Sequence, residues 1–192
     1  MSCNRCNCPS CNNHPNTWVV PVSYCNESSN ATFWQSNTIT VPGNSAIPFN
    51  IIEEKTSDIT LTNQSTINLL TSGVYQINYT ANAFINYSYI GSTTPPQTQD
   101  LFFGLYVNGV QKPVTNTRFY ANLTINNDAT ADEYSSYSIQ YSAPITATFN
   151  IRITAPTNIQ LVNLNNYTVT FVNGNLIQVP SVTINIQRLG SL

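Results

Sequence analysis

Five cysteines, one histidine and eight carboxylates are the side chains with the most chemistry to offer. Cys3, Cys6, Cys8 and Cys11 stand as C-x2-C-x-C-x2-C in MSCNRCNCPSC; His14 and then Cys25 follow, and no cysteine comes after. Thiols so crowded can cross-link, hold a soft metal ion, or sit idle in a tail. Placing all five within the first 25 residues speaks against idleness. A zinc ribbon separates its two CxxC knuckles by roughly a dozen residues or more. Here the cluster is too tight for that, so a metal would need a metallothionein-like wrap with His14 as a spare ligand. Local disulfides are poor, because a bond needs Cα atoms about 4.4–6.8 Å apart and a dihedral near ±90°, and Cys6–Cys8 would be strained. Disulfides between chains, through Cys3, Cys6, Cys8, Cys11 and Cys25, are the preferred reading, and no metal ligand set is assigned.

The carboxylates gather twice. Glu53, Glu54 and Asp58 flank Lys55, and Asp128, Asp132 and Glu133 share NNDATADE. Calcium wants several oxygens at about 2.3–2.6 Å, but neither run has EF-hand spacing, so solvated loops are the plainer reading. The only histidine lies among the cysteines, which leaves the rest of the chain without a Ser-His-Asp or Cys-His pair. Nucleophile-elbow, P-loop and dinucleotide fingerprints are missing as well. A non-enzymatic protein without a cofactor is expected. Six Lys and Arg cannot coat a nucleic-acid surface. No run approaches the ~20 apolar residues of a membrane helix. The N-terminus lacks the apolar stretch of a standard export signal.

The elements that must carry these residues read as strands. Charged residues are only 7% of the chain, polarity comes from Asn, Thr, Ser and Gln, and helix formers are scarce. From about Ala46 onward the pattern has period two. In GVYQINYTANAFI, Tyr75, Ile77, Tyr79, Ala81, Ala83 and Ile85 share one face. Phe149, Ile151 and Ile153 do so in TATFNIRIT, and Val182, Ile184 and Ile186 in SVTINIQRL. Asn108-Gly109 and Asn173-Gly174 predict tight hairpins, whose central residues need positive φ. An all-β, antiparallel jelly-roll β-sandwich of about eight to ten strands is expected over residues 46–192. Residues 1–45 read as a Cys-rich connector arm with strand-like pieces TWVVPV and NTITV. Within it Trp18, Val19, Val20 and Val22 form a candidate strand that could be donated to a neighbour's sheet edge or cover its own sandwich.

IPFN (47–50), TSGVYQINYTANA (71–83), LFFGLYVNGVQKPV (101–114) and VTINIQRLG (182–190) together resemble the tumour necrosis factor and complement-globular-head superfamily of trimeric jelly rolls. Within it the body is similar to the C-terminal heads of the collagen-like glycoproteins of Bacillus exosporium hairs. The chain departs from these in having no Gly-X-Y stalk and in carrying NLNNYTVTFVNGNLIQVP (163–180), which reads as an inserted hairpin. The cysteine placement in the arm is similar to that of endospore appendage subunits, whose N-terminal connectors cross-link a fibre. The resemblance implies a homotrimer that polymerises further, with three arms side by side. It implies a structural subunit of a spore-surface fibre, appendage or coat layer, with other spore-surface proteins as further partners. Such a protein is made in the mother cell without secretion and oxidised after lysis. Two alternatives stand beside it: a trimeric receptor- or carbohydrate-binding head, and a thiolate metal-binding arm.

Overall fold

A computed structural model of the chain describes residues 29–90, 98–122, 136–154, 156–173 and 179–192. Among these, fourteen strands form two antiparallel sheets, and the one helical piece is a 3-10 turn at Pro113–Thr115. The strands are β1 Asn30–Gln35, β2 Ile39–Val41, β3 Ser45–Ala46, β4 Ile51–Lys55, β5 Ile59–Thr62, β6 Thr66–Leu69, β7 Gly73–Ile90, β8 Thr98–Val107, β9 Val110–Gln111, β10 Thr117–Asn122, β11 Ser136–Ile153, β12 Thr157–Asn163, β13 Val169–Phe171 and β14 Val182–Gly190. One sheet runs β2-β13-β7-β14-β1-β4, with β11 paired along the other edge of β7. The second runs β10-β8-β12-β6-β5, with β3 against β12 and β9 against β8.

The period-two pattern fixes which side chains face inward. Tyr75, Ile77, Tyr79, Ala81 and Ala83 of β7 are buried, as are Val182, Ile184 and Ile186 of β14. They meet Leu101, Phe103 and Leu105 of β8 and Ile159 and Leu161 of β12 in one continuous core. Apolar area removed from water drives this packing, at about 25 cal/mol per Å². Two aromatic pairs lock the layers: Phe33 lies 6.5 Å from Phe49, and Phe103 5.5 Å from Phe171, centroid to centroid.

The body begins earlier than the boundary at residues 45/46. Strands β1, β2 and β3 all belong to the sheets, and Ala31, Phe33 and Val41 are core residues. The alternation of NATFWQ (burial of every second residue) is the same signal as elsewhere, over only six residues. The two longest strands also exceed expectation. β7 and β11 pair without a break from Gly73↔Ile153 to Ile90↔Ser136, so that TATFNIRIT is only the second half of β11. The Asn108-Gly109 hairpin forms as expected, with φ of 50° and 76°. Val169–Phe171 forms no hairpin of its own within the described residues; β13 sits between β2 and β7. Gly174, the second centre of the other predicted turn, lies outside the described residues.

Candidate functional site

Cys3, Cys6, Cys8, Cys11 and Cys25 lie outside the described residues, as do His14 and the candidate donated strand Trp18, Val19, Val20 and Val22. Asp128, Asp132 and Glu133 do too. The structure does describe the place where that N-terminal segment joins the sandwich. Ser29 is buried at the head of β1. Its carbonyl accepts the backbone N–H of Arg188 at 2.7 Å. Its hydroxyl donates to Oδ2 of Asp58 in a short bond. The other carboxylate oxygen of Asp58 accepts from the Thr56 hydroxyl at 2.6 Å. Thr56 also takes the Asn30 N–H on its Oγ1 at 3.2 Å, and its own N–H donates to the Asn30 carbonyl at 2.9 Å. The turn between β4 and β5 thus closes around Ser29 and Asn30, the first residue of β1.

Electrostatics hold this clasp in its charged form. Burial works to raise the Asp58 carboxyl, but hydrogen bonds from Ser29, Thr56, the Asp58 backbone N–H and Thr71 outweigh it. The carboxyl is therefore kept below the ordinary aspartate range, since those donors favour the ionised oxygen. Tyr75 closes the far side: its hydroxyl donates to the Thr71 carbonyl at 2.7 Å. Burial, and then the nearby Asp58 charge, push the Tyr75 phenol up, while Arg188 draws it down. Arg188 in turn donates Nε–H to the Ser72 carbonyl at 3.1 Å.

Glu53, Glu54 and Asp58, which flank Lys55 in sequence, do not converge. Glu54 accepts from the Asn30 side chain at 2.8 Å while Asp58 faces Ser29, and both Glu53 and Glu54 are exposed. Among the described residues no three His, Cys, Asp or Glu side chains group as metal ligands would. The arrangement holds the entry to β1; it has no nucleophile–base pair and no set of converging acids. Sequence reasoning passed over Ser29 and Thr56. The signal it had was a Ser-Asn entry to a strand and a Thr-x-Asp turn, both of which are common hydrogen-bonding patterns.

A second polar knot seats the insert. Asn163, fully buried, donates Nδ2–H to the carbonyls of Val41, Pro42 and Tyr167, each at 3.1 Å. Its Oδ1 accepts from the Asn165 backbone and side chain at 3.1 and 2.6 Å. Asn165 Oδ1 accepts the Phe102 N–H at 3.1 Å. Gly43 must be glycine here, because an added Cβ would lie 2.6 Å from the Asn165 carbonyl oxygen.

No family model matches this chain, and no curated protein matches it. Solved structures do. The Eiger TNF of S. frugiperda is 12% identical, with a TM-score of 0.53 over 86% of this chain and 93% of that one. The globular domain of zebrafish complement 1qA protein is 9% identical, with a TM-score of 0.51 over 85% of this chain and 99% of that one. The chain has the antiparallel jelly-roll fold of these TNF and complement heads.

Proposed function

We propose that the protein is a structural, self-assembling subunit: a homotrimeric jelly-roll head whose N-terminal segment, through Cys3, Cys6, Cys8, Cys11 and Cys25, forms disulfides between subunits of a bacterial spore-surface fibre, appendage or coat layer. One observation carries the reading. Among the described residues the sandwich packs its apolar core from Ile, Leu, Val, Phe, Tyr and Ala, while every cysteine of the sequence lies before Ser29. A body of this size buries roughly two thirds of its unfolded surface and needs no staple. The likeness of fold to TNF and complement heads supports the trimer. The paucity of charge suits packing of copies against one another, since little repulsion keeps them apart. Residues 17–22 contribute a strand to a neighbouring copy's sheet edge.

Denaturing electrophoresis of oxidised protein tests this. High-mass ladders without reductant, collapsing to monomer with reductant and heat, are expected. Monomer in both lanes overturns the cross-link. Light scattering on reduced protein tests the trimer separately: three chains per particle are expected, and a monomer at micromolar concentration overturns that part.

A further inference from the structure

A segment that joins molecules must deliver pull to the body it leaves, and the strand at Ser29 has features suited to that. β1 is an interior strand. Six of its residues register with β14, from Asn30↔Gln187 to Gln35↔Val182, and four register with β4. Backbone bonds continue past both ends: Arg188 N–H to the Ser29 carbonyl, Ser181 N–H to the Gln35 carbonyl and Asn50 N–H to the Trp34 carbonyl. Phe33 plugs the middle of the strand into the core against Phe49. At the entry, Ser29 is tied through its side chain to Asp58, which Thr56 also holds.

Direction matters as much as bonding. β14 runs antiparallel to β1, so its start at Val182 lies at the far end of β1 and its last residues run past Ser29, with Arg188 beside it. Tension between the N-terminal segment and the far end of the sheet slides β1 past β14, and all the register pairs bear it together. Tension between the N-terminus and C-terminus opens the same pair from the Ser29 end, one bond after another. A hydrogen bond that is modest singly resists strongly only when several must break at once.

We infer that β1, with the Ser29–Asp58–Thr56 clasp at its entry, is the mechanical anchor of the head: it carries tension from the N-terminal segment into the sandwich in shear. This rests on the proposed tether role of residues 1–28, but its test needs no cross-link.

Single-molecule pulling on the full, reduced chain reads it. One handle is ligated enzymatically at the N-terminus. The other is attached either to p-azidophenylalanine replacing Val179, an exposed residue beside the start of β14, or at the C-terminus. At equal loading rate, rupture through position 179 should need at least about twice the force of rupture through the C-terminus, because the pairs share the load. Equal forces overturn the anchor. Ser29→Ala and Asp58→Asn should each lower the force through position 179 by roughly a quarter or more, as a charge-assisted bond is removed. Asn163→Ala, which unties the other knot, should leave it unchanged. If Asn163→Ala lowers it as much as the clasp variants do, the effect is general destabilisation and the clasp has no special part. Failure here with intact disulfide ladders would sink the anchor alone; loss of the ladders with a strong shear response would sink the cross-link alone.

Discussion

Asp58 gives stability its own dependence on acid. Its hydrogen-bonded carboxylate lies below the usual aspartate range in the folded chain. The unfolded chain therefore binds the proton more readily, and stability falls as pH falls. The contribution is fully present above the unfolded value of about 4 and is lost on descending through it to the lower folded value. Acid titration of the melting temperature should show a drop below about pH 4 that Asp58→Asn largely removes; a profile unchanged in the variant would contradict the assignment. Tyr79 sets the alkaline limit. Burial pushes its phenol to about 12, opposed by its bond to Thr117. That contribution is whole below the unfolded value of about 10 and is lost as pH rises through the folded one. Tyr79→Phe should flatten the melting profile between about pH 10 and 12, at the cost of the 2.6 Å bond to Thr117. Asn163 is the costliest polar side chain to lose, because Asn163→Ala leaves the carbonyls of Val41, Pro42 and Tyr167 without its donor and the Asn165 amide without its acceptor. A loss of about 2–4 kcal/mol in denaturant unfolding is expected.

At the scale of elements, β1 decides where the body starts. Phe33→Ala should destabilise by about 3–5 kcal/mol, the cost of emptying a buried aromatic site. A chain beginning at residue 29 should melt like the full chain, whereas one beginning at residue 46 lacks the strand between β14 and β4 and should not fold; circular dichroism distinguishes them. Gly109 has φ of 76° with open space around it, so Gly109→Ala should cost only about 1 kcal/mol, from backbone strain alone. Much of this architecture was legible in the residues. Tyr75 to Ala83 and Val182 to Ile186 alternate cleanly because one face of each strand meets the other sheet, and Asn108-Gly109 accepts a conformation few pairs tolerate. What escaped is instructive. NTITV, read as strand-like, holds β2, but β1 and β3 are so short that their period carries little signal against the Asn- and Ser-rich text around them. β13 pairs with β2, about 130 residues away in sequence, and no local pattern encodes a partner so distant. The clasp and the Asn163 knot depend on the same long-range meetings: Ser29 with Asp58, Val41 with Asn163.

At the scale of the molecule, the described outer faces are mostly neutral and polar. Outward positions of the first sheet form rows such as Asn30, Gln187, Gln76 and Asn150, or Thr32, Asn185, Asn78 and Thr148, with Thr32 bonded to Asn185 at 2.9 Å and Thr80 to Thr146 at 3.2 Å. Among the described residues the ion pair is Arg118–Asp100, and it is exposed. Such a pair contributes about 0–1 kcal/mol at most, so raising salt from low to high should move the melting temperature by only a few degrees. So few charges leave the described surface little to titrate or to screen. The central claim is that the cysteines of residues 1–28 join one chain to another, and isotope mixing reads this directly. Reduced protein grown in light nitrogen is mixed with an equal amount grown in heavy nitrogen, co-assembled, oxidised and digested without reduction. Cysteine peptides of mixed isotopic label joined by disulfide are the predicted result. Cysteine peptides found only free, metal-protected or linked within a single label would contradict it.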